Sequence, residues 1–240
     1  MLKKSSFALI VPCYNESESI PAFAKELLKF YNQFKVILPD YTLAIIVIDN
    51  NSSDGSLEQL KALTLILDCL VVDSCLVSGY GAALKHGFRM ATSDYLSFLD
   101  LDNTYPLESL FDLLKMLQNE NLDIVYGARI HKASKISFVR YLGNLMYVLL
   151  LKYLFNSKLS DVCSGMRVFK SNLKTGVLGI KSNDLSFSID FTSYALNSRW
   201  KISELPIHYR ERTGTSKLSV IKDGYLFLYV IINKYLKRIK

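Results

Sequence analysis

Short apolar runs alternate with amphipathic patterns through the first half of the chain, and this alternation constrains the fold most strongly. Five runs have the composition and length of buried strands: Ala8–Val11, Leu43–Ile48, Leu70–Val72, Tyr95–Leu99 and Ile124–Tyr126. Four stretches with helical spacing separate them: Ile20–Phe34, Ser56–Leu67, Ala82–Thr92 and Leu107–Gln118. Strands that alternate with helices form right-handed βαβ units, which predicts an α/β fold with a doubly wound, mostly parallel sheet.

Polar clusters follow three of the predicted strands directly. They are Tyr14-Asn15-Glu16, the run 49–54 and Asp100-Leu101-Asp102. In doubly wound sheets, ligands bind beyond the carboxyl ends of the strands. Because three clusters fall at such ends, we expect them to meet at one edge of the sheet and to form a single site.

Asp100 and Asp102 are the strongest candidates for chemistry in that site. A buried carboxylate without a partner is costly, so two of them at a strand end are unlikely to serve packing alone. Hard oxygen ligands suit Mg²⁺ or Mn²⁺ that already carries phosphate oxygens. Asp and Asn also form turns and cap helices, so the motif alone is equally compatible with a turn before a helix near Pro106.

The composition limits the class of protein. The chain has 240 residues, half of them hydrophobic, which predicts one large domain or one and a half. Cysteines occur at positions 13, 69, 75 and 163, without CxxC spacing and without a histidine cluster. This pattern argues against a zinc site and a disulfide framework, and it suits a reducing compartment.

The second half contains two strongly apolar stretches, Phe138–Phe155 and Leu218–Tyr235. The first has an apolar surface too wide for an ordinary exposed helix, so it either packs into the core or lies in a membrane interface. The net charge is +7, and Lys234, Lys237, Arg238 and Lys240 follow the second stretch, which favours an anionic membrane surface over nucleic acid. Uncharged runs near these positions fall short of the roughly 20 residues that span a bilayer, and no signal-peptide pattern is present.

Seven motifs, taken in order, resemble the family-2 glycosyltransferases of the GT-A fold. They are Val11–Glu16, Ile48–Gly55, Gly79–Ala83, Asp100–Pro106, Tyr126–Arg129, Ser164–Arg167 and Arg212–Leu218. The nearest branch is dolichol-phosphate mannose synthase-like and acts on polyprenyl phosphates. The resemblance implies a GT-A catalytic domain at residues 1–217, with a nucleotide-sugar half at about 1–128 and an acceptor half at about 129–217. An amphipathic, basic membrane-interface segment would follow at 218–240.

The resemblance also implies roles for individual residues. The expected donor-binding residues are Pro12, Tyr14, Glu16, Asp49, Asn51, Gly81, Asp100, Leu101, Asp102, Arg129, Arg212 and Lys217. Asp100, Asp102 and Thr104 would hold Mg²⁺ or Mn²⁺, while Arg140 and Arg167 would bind an acceptor phosphate. Asp190 is the candidate general base for a hydroxyl acceptor, or else an acid that pairs with an arginine. The family often has an acid where this chain has Asn50, and a Gln where it has Thr104.

The leading hypothesis is an inverting transferase that moves a sugar from a GDP- or UDP-linked donor to a polyprenyl phosphate at the cytoplasmic face of a membrane. Because relatives often carry C-terminal transmembrane helices that this sequence lacks, peripheral attachment or a membrane-anchoring partner subunit would be needed. One alternative is transfer to a saccharide hydroxyl in surface glycan assembly. Another is a non-catalytic module that binds nucleotide sugar beside a membrane subunit. A nucleotidyltransferase is disfavoured because Val11–Ser17 lacks a Gly-rich basic loop.

Overall fold

The structure is a computed structural model that describes residues 4–129, 135–212 and 220–239. Seven strands are present in this part of the chain: β1 (Ser5–Cys13), β2 (Tyr41–Asp49), β3 (Leu70–Ser74), β4 (Tyr95–Phe98), β5 (Ile124–Ala128), β6 (Arg167–Lys170) and β7 (Ile202–Pro206). The helices are α1 (Ile20–Ile37), α2 (Ser56–Leu63), α3 (Tyr80–Met90), α4 (Ser109–Asn119), α5 (Phe138–Phe155), α6 (Lys174–Leu178), α7 (Phe187–Asn197) and α8 (Val220–Ile239). A short 3-10 helix at Ser171–Leu173 precedes α6.

The strands form one sheet in the order β3-β2-β1-β4-β6-β5-β7. Neighbouring strands are parallel except at β6, which runs antiparallel to both β4 and β5. The predicted α/β fold with a mostly parallel sheet is therefore confirmed. Each of the five predicted strands lies within or overlaps an observed one, whereas β6 and β7 were not predicted.

Helices cover both faces of the sheet, as the alternating side chains of β1 require. Phe7, Leu9 and Val11 face a core built largely with α1 and α4. Ala8 and Ile10 face the opposite core, which contains α3 and α7 and receives the buried residues of α5 and α8. With both faces covered, the cores leave the carboxyl edge of the sheet as the place where polar side chains can gather.

Helix α5 is both a packing helix and an exposed one. Asn144, Tyr147, Leu151 and Phe155 are buried, whereas a second set of apolar side chains on α5 faces outward: Phe138, Val139, Tyr141, Leu142, Leu145, Met146, Leu149 and Tyr153. By length and composition alone, α5 is the one helix among the described residues that is long and apolar enough to cross a membrane. Packing against the protein and contact with an apolar phase, which the sequence left as alternatives, are thus compatible in one helix.

Helix α8 packs against α5 and α7. The ring of Phe227 lies 5.6 Å from that of Tyr147, and the Tyr147 hydroxyl donates to the Gly224 carbonyl at 3.2 Å. Lys234 forms an ion pair of 2.7 Å with Asp190 of α7. Helix α8 also leaves Tyr225, Tyr229, Ile232 and Leu236 exposed.

Candidate functional site

A cavity of about 550 Å³ opens at the carboxyl edge of the sheet. Its walls come from the segments after β1, β2 and β4, from the start of α3, and from the facing sides of α5 and α8. Most of the predicted site residues line it: Pro12, Tyr14, Glu16, Asn51, Asp100, Leu101, Asp102, Arg129, Arg140 and Arg212. The three polar clusters therefore converge as their positions after the strands predict.

The loop after β1 and the loop after β2 are joined by reciprocal hydrogen bonds. The Asn15 amide donates to the Ser52 hydroxyl at 2.9 Å, and the Ser53 amide donates to Asn15 Oδ1 at 2.7 Å. Asn15 and Asn51 both adopt positive φ angles, 50° and 63°, a conformation that Asn tolerates better than most residues. The asparagines of this region thus build the turns that set Tyr14 and Glu16 beside the cavity.

Asn50 occupies the position where the family often has an acid, and its side chain connects two loops. Its Nδ2 donates to the carbonyls of Cys75 and Val77 at 3.2 and 2.8 Å, and its Oδ1 accepts from the Gly79 amide at 2.6 Å. A carboxylate could make only the last of these bonds, because it has no hydrogen to donate. The amide is therefore matched to the backbone groups that surround it.

Asp102 is almost fully buried, and both of its oxygens are engaged. Oδ1 accepts from the amide and the hydroxyl of Thr104 at 3.2 and 2.6 Å. Oδ2 lies 3.0 Å from Nη1 of Arg212. Thr104 is itself fully buried and does not line the cavity. Thr104 therefore orients Asp102 from behind, which differs from the direct ligand position that the motif implied.

Asp100 lies beside Asp102 with one oxygen unsatisfied. Its Oδ1 is buried and has no hydrogen-bond partner in the described part of the chain. Gly165 approaches it so closely that an added Cβ would lie 2.9 Å from Asp100 Oδ2. Burial, and then the charge of Asp102, raise the pKa of Asp100 to about 6, against the opposing influence of the Tyr80 hydroxyl, Arg212 and Arg129. Excess negative charge thus accumulates at this point of the cavity.

These two carboxylates fit a hard divalent cation. A buried, unpartnered carboxylate oxygen beside a second carboxylate is a donor set that Mg²⁺ or Mn²⁺ prefers. Within residues 4–129, 135–212 and 220–239, no group of three His, Cys, Asp or Glu side chains could enclose a metal ion. Mg²⁺ is commonly bound through one or two carboxylates, while substrate phosphates and waters complete its coordination.

Arg129 lines the cavity but is held by Asp161, a residue that the sequence did not single out. Its Nε and Nη2 donate to the two oxygens of Asp161 at 2.7 and 2.8 Å, and its backbone amide adds a bond of 2.9 Å. Burial alone would raise the pKa of Asp161, but the charge and hydrogen bonds of Arg129 outweigh it and hold that pKa below its usual value. The pair fixes Arg129 at the cavity wall in one orientation.

The far wall of the cavity is formed by α5 and α8. Arg140, Gly143 and Tyr147 line it from α5, and Asp223 and Phe227 line it from α8. Asn144 lies in the same wall, and it bonds the segment before β6 through the Ser160 carbonyl and the Val162 and Cys163 amides. A buried Asn on an otherwise apolar helix was the sequence signal for this contact.

Two predicted residues lie in the core instead of the cavity. Arg167 is fully buried, stacks 4.3 Å from the Tyr126 ring and donates to the Ser164 and Ser188 carbonyls. With its guanidinium enclosed in this way, Arg167 lies in the core and does not line the cavity. Its assignment to an acceptor phosphate stays a prediction. Asp190 is buried, accepts from the Ser182 hydroxyl at 2.8 Å and pairs with Lys234. It does not line the cavity, and its assignment as a base stays a prediction.

The remaining predicted positions lie behind the cavity wall or outside the described residues. Asp49 is buried, and its Oδ2 accepts from the Ser52 amide at 3.3 Å. Gly81 allows close packing, since a Cβ there would lie 2.6 Å from the side chain of Phe187. Lys217 and most of the motif Arg212–Leu218 lie outside the described residues.

Comparison with known proteins identifies the family. The model of the family described as glycosyl transferase family 2 matches residues 8–174. The chain belongs to glycosyl transferase family 2. The resemblance carried by the seven motifs is thereby confirmed.

Two curated relatives and one solved structure illustrate the similarity. A dolichyl-phosphate hexose transferase of Haloferax volcanii is 30% identical over 61% of this chain and 63% of its own length. A dolichol-phosphate mannosyltransferase of Pyrococcus furiosus is 24% identical over 93% of this chain and 61% of its own length. The chain thus spans less than two thirds of the length of either relative.

The solved structure is glucosyl-3-phosphoglycerate synthase from Mycobacterium tuberculosis, in complex with Mn²⁺, UDP and phosphoglyceric acid. It superposes with a TM-score of 0.69 at 16% identity, over 98% of this chain and 78% of the other. At that identity the likeness shows the fold, which is the GT-A fold predicted from the motifs.

Proposed function

We propose that this chain is a divalent-metal-dependent, inverting glycosyltransferase that moves a sugar from a nucleotide sugar to a polyprenyl phosphate. One observation carries the proposal: a single cavity has the paired acids Asp100 and Asp102 on one side and the partly exposed helices α5 and α8 on the other. An anionic donor needs a metal-binding acidic pair and a lipid-linked acceptor needs an apolar surface, and the reaction requires both in one cavity. The two relatives described above, a dolichyl-phosphate hexose transferase and a dolichol-phosphate mannosyltransferase, support the same acceptor class.

The donor would lie along the acidic side of the cavity. Pro12, Tyr14, Glu16 and Asn51 would border the nucleoside, with Asp49 beneath them. Asp100 and Asp102 would hold Mg²⁺ or Mn²⁺, which when bound draws charge from the diphosphate and so eases departure of the nucleoside diphosphate. The choice between a GDP- and a UDP-linked sugar stays open.

The acceptor would enter from the side of α5 and α8, where Arg140 lines the cavity. A phosphate acceptor is already an anion at neutral pH, so it needs orientation and charge neutralisation more than a general base. Arg140 on α5 and Arg129, which lines the cavity from the end of β5, would provide the charge, with Lys217 as a further candidate. A reaction without a protein base agrees with the enclosed position of Asp190.

We further propose that the chain attaches peripherally to the cytoplasmic face of a membrane. The outward apolar side chains of α5 and α8 adjoin the mouth of the cavity, and tyrosines such as Tyr153, Tyr225 and Tyr229 are among them. Tyrosine favours the level of the lipid headgroups, and a basic tail favours anionic lipid. In this arrangement residues 1–217 form the catalytic domain and 218–240 the interface segment, with or without an additional membrane-anchoring subunit.

A donor screen tests the proposal. The full chain is incubated with Mn²⁺ or Mg²⁺ and radiolabelled GDP-mannose, UDP-glucose, UDP-N-acetylglucosamine or UDP-galactose, with and without undecaprenyl or dolichyl phosphate. We expect label to enter the organic phase with one donor, and to stay in the aqueous phase with Asp102→Ala. Metal-dependent donor hydrolysis without lipid product would indicate a hydroxyl acceptor. Donor binding without any turnover would support a non-catalytic module, and failure to bind any donor would refute the proposal.

A further inference from the structure

Arg212 forms an ion pair with Asp102, one of the two carboxylates that would bind the proposed metal ion. Its Nη1 lies 3.0 Å from Asp102 Oδ2, and its Nη2 lies 2.9 Å from Glu16 Oε1. One guanidinium thus joins the loop after β4 to the loop after β1, which carry two of the polar clusters that form the site. Its Nε is buried and has no hydrogen-bond partner among the residues described.

In this arrangement both carboxylate oxygens of Asp102 already have partners. Thr104 engages Oδ1 through two hydrogen bonds, and Arg212 engages Oδ2. A divalent cation that coordinates Oδ2 at about 2.1 Å would lie within a few ångströms of Nη1. Like charges so close together, in a largely buried setting, repel strongly. The cation and the guanidinium are therefore competitors for the same oxygen.

We propose that Arg212 occupies the place of the metal on Asp102 until the diphosphate of a nucleotide draws it away, so that metal and diphosphate bind cooperatively. This inference rests on the proposed function, because it requires a metal and a diphosphate in the same cavity. The diphosphate offers Arg212 charged oxygens in the fork geometry that guanidinium prefers, including a partner for the unsatisfied Nε. Arg212 lines the cavity and is about one quarter exposed, so it can turn toward a bound phosphate.

The consequence is a defined order of assembly. A metal ion alone must displace Arg212 and so binds weakly, whereas a metal ion that arrives with the diphosphate finds Arg212 already engaged elsewhere. Because coupling between two binding sites is reciprocal, the metal raises the affinity for diphosphate by the same factor. Glu16 retains the other side of the guanidinium in the ligand-free state and therefore keeps Arg212 near the cavity.

Titration of the full chain with Mn²⁺, followed by electron paramagnetic resonance and calorimetry, tests the proposal in the absence of nucleotide. We expect Arg212→Ala to bind Mn²⁺ at least about tenfold more tightly than the unmodified chain, and Arg212→Gln to behave similarly. Without metal, both variants should bind UDP or GDP about tenfold more weakly, because one charged partner of the diphosphate is lost.

Two further variants locate the effect. Arg210→Ala removes a positive charge two residues away, from a side chain that pairs with Glu26 and Glu108, and it should leave the affinity for Mn²⁺ nearly unchanged. Adding Asp102→Ala to Arg212→Ala should abolish the gain. Circular dichroism verifies that each variant folds. If Arg212→Ala does not fold, Arg212→Gln takes its place in the titration.

An affinity for Mn²⁺ that stays the same or falls in both Arg212 variants would overturn the proposal, as would an equal gain in Arg210→Ala. The titration requires no sugar and no acceptor. Cooperative binding could therefore be observed even if no transfer to polyprenyl phosphate occurred, and transfer could occur in a chain that binds metal and diphosphate independently. Failure of this inference is thus distinguishable from failure of the proposed function.

Discussion

Replacement of Asp161 by Ala should destabilise the fold strongly, because it leaves the largely buried Arg129 guanidinium without its counter-charge. Asp161 is fully buried and accepts three hydrogen bonds from Arg129, two from the side chain and one from the backbone amide. Breaking a buried ion pair by removal of one partner costs about 3–5 kcal/mol. Since whole domains are stable by only about 5–15 kcal/mol, this loss is a large fraction of the total.

Chemical denaturation by urea, followed by circular dichroism, measures the effect. Glu108→Ala is a matched control, because Glu108 also pairs with an arginine, at 3.0 Å, but is 43% exposed. Exposed pairs contribute about 0–1 kcal/mol, so the control should shift the midpoint little. If Asp161→Ala lost no more free energy of unfolding than Glu108→Ala, the reasoning from burial would be refuted.

The same pair predicts a dependence on pH. The pKa of Asp161 is lower in the folded chain than in the unfolded chain, so protonation of Asp161 is linked to unfolding. Its contribution is complete above the unfolded pKa of about 4 and disappears as the pH falls through the lower folded pKa. The difference in unfolding free energy between the unmodified chain and Asp161→Ala should therefore narrow below about pH 4. A constant difference across that range would show that Asp161 acts through shape alone.

Three further substitutions test packing and loop geometry. Gly81→Ala should lower stability by about 1–3 kcal/mol, because its Cβ would lie 2.6 Å from a side-chain carbon of α7. The control, Gly143→Ala on α5, meets nothing within 4 Å and should stabilise its helix slightly. Equal melting temperatures for the two variants in thermal melts would contradict the close packing at Gly81. Asn50→Asp should lower the free energy of unfolding, measured by urea denaturation, by about 1–3 kcal/mol, because it places a carboxylate against two carbonyl oxygens. The neighbouring Asn51→Asp should lower it less. An unchanged urea midpoint for Asn50→Asp would refute the donor role of the Asn50 side-chain amide. Asp190→Asn removes the charge that pairs with Lys234, so it should weaken the packing of α8 and raise the rate of amide hydrogen exchange in α8 relative to α1. An unchanged exchange rate would show that this ion pair does not hold α8 in place.

The parallel strands were predictable because strands that are buried on both faces consist almost entirely of apolar residues. Ala8–Val11 and Leu43–Ile48 are continuous apolar runs, which only a doubly covered strand requires. Their polar ends were missed: β1 begins at Ser5, where the Ser6 amide donates to Asp94 of a distant segment. Such ends are fixed by contacts across the sheet, and no local pattern records them.

Strands β6 and β7 escaped prediction for two different physical reasons. Strand β6 is only four residues long and contains Arg167, a charged residue whose burial depends on the aromatic rings around it. Strand β7 is an edge strand that mixes polar and apolar residues and ends in Pro206, which an edge tolerates. Helix α2 was predicted four residues too long, because the apolar turns that follow Leu63 are closed mostly by i→i−3 hydrogen bonds and do not continue the α-helix.

In the candidate site, the residues at strand ends were predictable and their partners were not. The positions of Asp100 and Asp102 follow from a strand that must be buried and a loop that must leave it. The role of Asp161 depends on a contact with Arg129 across 32 residues of sequence. Arg167 lies in a family motif and was assigned a phosphate because of its charge, whereas its position in the core depends on the aromatic rings around it.

The two departures from the family pattern, at Asn50 and Thr104, were the only sequence support for a non-catalytic module. Each has a structural use that leaves the acids of the site intact. Asn50 connects the segments at Cys75, Val77 and Gly79 with three hydrogen bonds that an acid could not all make. Thr104 holds Oδ1 of Asp102 and so leaves Oδ2 directed at Arg212. Asp100 lines the cavity with one buried carboxylate oxygen unpartnered beside a second carboxylate, an arrangement that costs stability and that packing does not require. This pair of acids therefore favours a catalytic site over a non-catalytic module.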